Sequence, residues 1–266
     1  SLRTHDQHAM AVDITRWQGE PVAAVAAVTR SIAEDAIELI DVVWDPLPAV
    51  SASKDALDAG SSVVHSGDAN NVAFEATAVG GDEAVSSNIK VSAEFSFGRH
   101  TGVTLETRAA IADWNSGDET LTVFASHQTP WQQQDVYSRH LGLEEHRVRV
   151  ICPEVGGGFG IKRHVYGDEI AIAALSRLLA RPIKFIADRL ESFVSDMHSR
   201  DHVVFASARA DYRGLKSITM DAVGGIGPYS AYRRASIGEG MMNMNLTGAP
   251  YALEHYAGHF RAAFQN

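Results

Sequence analysis

The sequence predicts an α+β fold, on three observations. A strand–helix–strand pattern occupies residues 21–44. Apolar residues alternate with period two, broken by turn residues, over residues 84–126, and a later strand pair with its own turn occupies 203–223. Between these stretches, helical segments cross from strand to strand over residues 130–186. Segregated hairpins with helices crossing between strands define this class.

Each element has a local reason. Residues 21–28, Pro-Val-Ala-Ala-Val-Ala-Ala-Val, form an apolar run short enough for a buried strand. Ser31 is placed to cap a helix, with Glu34 as its capping-box partner, and Ala33, Ala36, Ile37 and Ile40 give the apolar stripe. Val42-Val43-Trp44 reads as a second strand, stopped by Asp45-Pro46. Such a unit needs the edge of another strand to pair with. Residues 51–82, rich in Ser, Ala, Asp and Gly, read as a connector running over the surface. Ile89, Val91, Ala93 and Phe95 alternate, as do Ala110, Ala112 and Trp114 and then Leu121, Val123 and Ala125. Asn115-Ser116-Gly117-Asp118 is a hairpin turn signal, so residues 84–126 are expected to form antiparallel sheet.

Thr129-Pro130 opens a helix that runs to Leu141 and ends at Gly142. A strand over 147–151 follows, then a glycine run, then a helix over 166–179. Ile170, Ala173, Ala174 and Leu178 form that helix's apolar face, and Asp168 and Glu169 in its first turn suit the helix dipole. Pro182 ends it, residues 183–186 are the next strand, and residues 203–208 and 215–223 pair around Asp211-Tyr212-Arg213-Gly214. Residues 224–250 interleave glycines with Met241, Met242 and Met244. They read as a long loop that covers the core or faces a ligand.

The chemistry concentrates in Glu154-Val155-Gly156-Gly157-Gly158-Phe159-Gly160-Ile161-Lys162. Glycines after a strand let the backbone approach a ligand, because no Cβ intervenes, and bare N–H groups can point at its oxygens. Two nucleotide patterns fail on spacing. A Walker loop needs Lys directly after Gly and then Ser or Thr, whereas Ile161 precedes Lys162 and Arg163 follows it. The dinucleotide fingerprint G-x-G-x-x-G fails from Gly156, Gly157 and Gly158 alike, on Ile161, Phe159 and Arg163. The spacing leaves two readings open: a cofactor loop of another kind, or a tight strand-to-helix turn with no ligand.

Composition narrows the partners. The chain of 266 residues carries a formal net charge of -10, which argues against general affinity for nucleic acid or anionic membrane. No apolar run approaches the ~18 residues of a membrane span. Ser1-Leu2-Arg3-Thr4-His5 is not followed by a signal-peptide apolar region. The single cysteine, Cys152, excludes an internal disulfide and a four-cysteine iron–sulfur cluster within this chain. A reducing cytoplasm fits this, and a cytoplasmic location is expected.

Several motifs, in order, resemble one family. Trp17-Gln18-Gly19-Glu20-Pro21-Val22, Asp45-Pro46-Leu47-Pro48, His127-Gln128-Thr129-Pro130 and Arg149-Val150-Ile151-Cys152-Pro153 are part of the match. So are the glycine run, Arg181-Pro182-Ile183-Lys184-Phe185, Arg189-Leu190-Glu191-Ser192-Phe193 and His198-Ser199-Arg200-Asp201. Together they look like the large, molybdopterin-binding subunit of the molybdenum hydroxylases: xanthine dehydrogenases, aldehyde oxidases and aerobic carbon monoxide dehydrogenases. The resemblance implies that residues 1–58 are the later part of an α/β hammerhead domain and 59–82 a connector. Residues 83–266 are then the first, incomplete half of the molybdopterin-binding region. It implies a molybdopterin cofactor with molybdenum, in the cytosine dinucleotide form. It implies that Gln128 hydrogen-bonds an oxo ligand on molybdenum without ligating the metal, and that Gly157, Gly158, Phe159 and Gly160 lie against the cofactor. An amide side chain and bare N–H groups suit that task.

The resemblance further implies hydroxylation of an aldehyde or N-heterocycle with water-derived oxygen. The metal supplies the Lewis acidity and the redox change in such a reaction. The alternatives are a carbon monoxide dehydrogenase-like large subunit, toward which Leu105-Glu106-Thr107 leans, and a non-catalytic, truncated assembly module. Arg163 stands where purine-oxidising members carry Glu after the loop lysine. The stretch Met241-Met242-Asn243-Met244-Asn245 lacks their substrate-orienting Arg, which argues against xanthine. The family's general-base Glu lies downstream of this sequence, so no catalytic residue is expected here and the chain alone is expected to be inactive. The chain is expected to be a fragment, a split subunit or an incompletely traced polypeptide. Its expected partners are the rest of the large subunit, an iron–sulfur subunit and an FAD subunit.

Other polar residues have plainer readings. Lys162 is expected to pair with a carboxylate rather than to touch the cofactor. Arg189, Glu191, Arg200 and Asp201 look like one structural charge network. His198 and His202 could share a helical face, but a zinc site needs a third ligand that is not evident. Cys152 reads as a small buried residue.

Overall fold

The computed structural model describes residues 2–230 and 233–266. The chain is α+β and divides into two compact units, both discontinuous in sequence. One comprises Ser1–Gln7, Leu47–His100 and Ser199–Asn266; the other comprises His8–Pro46 and Thr101–His198. No helix among the described residues is long and apolar enough to cross a membrane.

In the second unit, helix α1 spans Arg30–Ile37. Thr29 caps it, accepting from the Ile32 N–H, and Ser31 lies inside the first turn. Thr29 is extended and therefore supplies the cap two residues earlier than the sequence suggested. Glu34 pairs instead with Arg30, at 2.6 Å. The flanking strands expected at 21–28 and 42–44 do not form. Val22, Val28, Val43 and Trp44 are exposed. Their backbone pairs with no sheet edge among the described residues, and the alanine-rich run has little β-propensity of its own.

The first unit holds strands β1 (Val72–Gly81) and β2 (Ile89–Phe97). The second holds β3 (Ala109–Asn115), β4 (Thr120–Ala125), helix α2 (Pro130–Leu141) and β5 (Val148–Ile151). It continues with α3 (Gly167–Leu179), β6 (Ile183–Ile186) and α4 (Arg189–Ser195). The chain then returns to the first unit for β7 (His202–Asp211), β8 (Gly214–Gly225), α5 (Arg233–Thr247) and β9 (His255–Ala263).

The second unit's sheet has the order β5-β4-β3-β6. Only the β4–β5 pair is parallel, as a helical crossover requires. Leu121, Val123 and Ala125, every second residue of β4, are buried. They form one core with Ala110, Ala112, Tyr137, Val148, Ile170, Ile172 and Ala173. α2 ends where expected, with Gly142 left-handed at φ 63°. α4 is capped by Asp188 and Glu191, each side chain accepting from the other's backbone N–H.

The first unit's sheet has the order β1-β9-β8-β7-β2. Here three expectations are corrected. Residues 84–126 do not form one sheet, because β2 pairs with β7, from Ile89↔Ala210 to Phe97↔His202, while β3 and β4 belong to the other sheet. Alternation reports which face is buried, not which strand is the partner. The stretch read as a connector contains β1, in which Phe74, Ala76 and Ala78 pack on the core with period two. Small alanine and glycine side chains hid that period. The stretch 224–250 is not all loop. Residues 231–232 lie outside the described residues, but α5 follows them, and a Cβ on Gly240 would stand 2.3 Å from the Phe260 ring. Gly240 lets the helix approach β9, and Met244 fills the core beneath.

Candidate functional site

The site is built in the second unit where β4 and β5 both run out. After β4, residues 126–129 cross to α2. The buried His127 ring fixes this crossing: its Nε2 donates to the His164 carbonyl at 3.0 Å and its Nδ1 accepts from the Thr129 N–H at 3.0 Å. That assignment is the neutral imidazole, and burial lowers the pKa of His127 accordingly. The Gln128 N–H donates to the Lys162 carbonyl at 2.8 Å. Its exposed side chain reaches over the glycine loop, where Oε1 accepts from the Gly160 N–H at 3.0 Å. With Oε1 engaged, the Nε2 protons of this exposed amide remain available as donors.

The glycine run follows β5 and ends in a short 3-10 turn, Ile161–Arg163. Gly157 and Gly160 are left-handed at φ 93°, and Phe159 is left-handed too, at φ 46°. A non-glycine residue there is strained by roughly 1–2 kcal/mol. Yet Phe159 is 76% exposed, so the loop holds a bare aromatic ring on its outer face. A Cβ on Gly158 would stand 2.4 Å from the Gln128 Cδ and Oε1. Gly158 therefore keeps open the space that the Gln128 amide occupies.

Beneath the loop lies Glu106. Its Oε2 accepts from the Lys162 Nζ at 2.6 Å, from the Gly156 N–H at 2.6 Å, and from the Ser126 hydroxyl. Lys162 is fully buried, and its pairing with a carboxylate is the one the sequence suggested. Partial burial works against the Glu106 charge, but Lys162, Ser126 and Gly156 outweigh it and hold the pKa down at about 2.

A second buried network supports the loop exit. Arg108, 1% exposed, makes a bidentate pair with Asp168 at 2.7 and 2.8 Å and a further bond to Asp196. It stacks over the Tyr166 ring at 3.9 Å. The Tyr166 hydroxyl donates to the Ile161 carbonyl at 2.6 Å and accepts from the Met197 N–H. Glu169 is buried beside this cluster, accepting from the Tyr166 N–H at 3.0 Å. Burial, helped by Asp168 and opposed by Arg108, pushes its pKa up to about 7. Glu169→Gln keeps the cap geometry and removes that cost. A raised folded-state pKa means stability is lost as pH rises from about 4.5 to 7. The variant is thus expected to melt higher than wild type at pH 8, by on the order of 1 kcal/mol, and to match it near pH 4.5. Thermal melts at both values check this.

The structure brings Gln128, Gly158 and Gly160 into one constellation and places Gly157 and Phe159 on the same loop. Of the charge network expected of Arg189, Glu191, Arg200 and Asp201, three members have separate partners. Arg189 donates to the Leu105 carbonyl, Glu191 closes the α4 cap, and Asp201 takes Arg99 and Gln265. His198 follows α4 whereas His202 lies on β7, so they share no helical face. Cys152 is half-buried. Sequence reasoning missed the roles of Glu106 and Arg108. As charges they stand two apart in the turn leading to β3, and neither that spacing nor the resemblance of Leu105-Glu106-Thr107 indicated a buried partner.

The Gly158 steric predicts a functional effect without a folding one. Gly158 is not left-handed, so Gly158→Ala adds no backbone strain, but its methyl must push aside the flexible Gln128 amide. The expected result is turnover lowered about tenfold with a melting temperature close to wild type, checked by kinetics and a thermal melt.

The glycine loop carries an exposed aromatic ring and lies against the Gln128 amide, in an α+β domain, an arrangement with the backbone access that a cofactor needs. Residues 64–266 match the family model described as the molybdopterin cofactor-binding domain, and the chain belongs to that family, as part of a molybdenum hydroxylase-type large subunit. It is 33% identical over 208 residues to the nicotine 6-hydroxylase large subunit of Paenarthrobacter nicotinovorans, covering 77% of this chain and 25% of that protein. It is 29% identical over 211 residues to the carbon monoxide dehydrogenase large chain of Hydrogenophaga pseudoflava, covering 73% and 26%. Among solved structures, quinoline 2-oxidoreductase from Pseudomonas putida 86 superposes with a TM-score of 0.91 at 28% identity, over 99% of this chain and 34% of that one. The chain spans about a quarter to a third of the length of these relatives.

Proposed function

We propose that this chain forms one side of the molybdopterin site in the large subunit of a molybdenum-dependent hydroxylase. The substrate is an N-heterocycle or an aldehyde, oxidised with water-derived oxygen. The observation that carries the reading is the exposed Gln128 amide, held through Oε1 by the Gly160 N–H, which leaves its Nε2 donors available. The donor set fits the cofactor: Gln128 Nε2 would donate to an oxo ligand of molybdenum, and Gly157, Gly158, Phe159 and Gly160 would lie against the pterin side. When bound, the group supplies Lewis acidity and a two-electron redox change. This chain's residues bind and orient, while the general-base Glu belongs to a part of the subunit outside this sequence.

An N-heterocycle is favoured because two relatives are named for nicotine and quinoline; Arg163, standing where purine-oxidising members carry Glu, argues against xanthine. The cytosine dinucleotide form of the cofactor, iron–sulfur and FAD subunits as partners, and a cytoplasmic location belong to the same reading. So does a hammerhead segment over 1–58, ahead of the cofactor-binding region. The similarity to a carbon monoxide dehydrogenase large chain supports a second reading, with carbon monoxide as substrate. Dye-linked oxidation assays on the protein with its companion chains separate the two. Oxidation of pyridine- or quinoline-type heterocycles supports the first reading. Oxidation of carbon monoxide alone supports the second.

A further inference from the structure

We infer that Glu106 and Lys162 are positioning residues: an ion pair, its ammonium buried and its carboxylate part-exposed, that sets where Gln128 and Gly158 stand. This rests on the proposed cofactor site and names what aims it. Glu106 Oε2 gathers three donors, each two residues from a member of that site. Ser126 precedes Gln128 by two, Gly156 precedes Gly158 by two, and Lys162 follows Gly160 by two. The same carboxylate therefore ties the β4 exit, the start of the glycine loop and its end to one point. Two backbone bonds reinforce the tie, Gln128 N–H to the Lys162 carbonyl at 2.8 Å and Glu106 N–H to the Gly156 carbonyl at 3.4 Å.

The fit around the carboxylate is close. A Cβ on Gly156 would lie 2.6 Å from the Glu106 Cβ, so the loop sits directly on the Glu106 side chain. Arg189 Nη2 and the Thr104 hydroxyl hold the Leu105 and Glu106 carbonyls from behind. A reacting carboxylate would need to exchange protons near neutral pH. Glu106, with an ammonium and two further donors on one oxygen, is held ionised. An ion pair with one part-exposed member adds little net stability, so stability alone does not require it. Its geometric product is the fixed spacing between the Gln128 amide and the loop N–H groups.

The test uses the protein purified with its companion chains. The double variant Glu106→Leu/Lys162→Met removes both charges together and so avoids a lone buried ammonium. Gly156→Ala keeps both charges and wedges the loop off Glu106, which decides the matter should the double variant fail to fold. Three readouts apply: hydrogen exchange of peptides covering 154–163, molybdenum per chain, and the electron paramagnetic resonance spectrum of the Mo(V) state. The expected result is exchange faster by tenfold or more across the loop, with a melting temperature near wild type. Molybdenum should fall severalfold, or the Mo(V) signal should shift. Wild-type exchange, molybdenum content and Mo(V) spectrum in a folded variant would overturn the positioning role while leaving the cofactor site intact. A wild-type protein that carries no molybdenum under full cofactor supply would overturn the proposed function, and this inference with it.

Discussion

Gln128→Ala is expected to lower kcat by about 100-fold, with KM changed by less than about threefold, in the assembled enzyme. The substitution removes the Nε2 donors and leaves the Gly160 N–H, which donates to Gln128 Oε1 at 3.0 Å, without its partner. Because Gln128 is exposed, the Gly160 amide can bond to water, and the fold loses less than about 1 kcal/mol. Gln128→Glu separates the two functions of the amide. Its carboxylate still accepts from Gly160 but offers no donor, and it should lose as much turnover as the alanine variant. Kinetics normalised to bound molybdenum check both. Wild-type kcat in either variant at full occupancy would remove the proposed donor role.

Arg108→Met carries the largest expected loss of stability, about 3–5 kcal/mol. The guanidinium is 1% exposed and neutralises Asp168 and Asp196, of which Asp196 is itself 4% exposed. Methionine fills the stem but leaves buried carboxylates with no counter-charge. The melting temperature should fall by roughly 6–20 °C at pH 7, on a scale of roughly 2–4 °C per kcal/mol. Adding Asp168→Asn and Asp196→Asn should recover much of it. The effect should also reach the candidate site, because the Tyr166 ring under Arg108 holds the Ile161 carbonyl at the loop exit. A thermal melt of the single and triple variants decides this. A fall of less than about 1 kcal/mol in the single variant would mean that water or other groups compensate the two carboxylates.

The hairpin β3–β4, the helices α2 and α3 and the hairpin β7–β8 were legible because each carries its own punctuation. Asn115 to Asp118, Pro130 with Gly142, and Asp211 to Gly214 act within a few residues. The glycine loop was legible as a loop for the same reason. What the sequence hid was pairing at a distance. β2 finds its partner more than a hundred residues later. β9 runs parallel to β8 with its apolar residues separated by His, Gly and Arg. The strand–helix–strand expected at 21–44 failed in the opposite sense: its apolar runs have the right length, but strand formation needs a partner edge that no local pattern supplies. The α4 cap, Asp188 with Glu191, was present as a D-x-x-E signal and went unread. At the site, Gln128 and Gly158 to Gly160 stood out through residue type and the family resemblance. Glu106 did not, because a glutamate in a polar turn looks solvated until Lys162 is seen to be buried against it.

The central claim is that this loop and amide hold a molybdenum cofactor, and molybdenum content tests it most directly. Elemental mass spectrometry would be run on the protein purified with its natural companion chains under full cofactor supply, beside Gly158→Ala and Gln128→Ala. The account predicts near-stoichiometric molybdenum in the wild type and an altered Mo(V) spectrum in both variants. Absence of molybdenum from the wild type, with its companion chains complete, would contradict it and favour a non-catalytic assembly role.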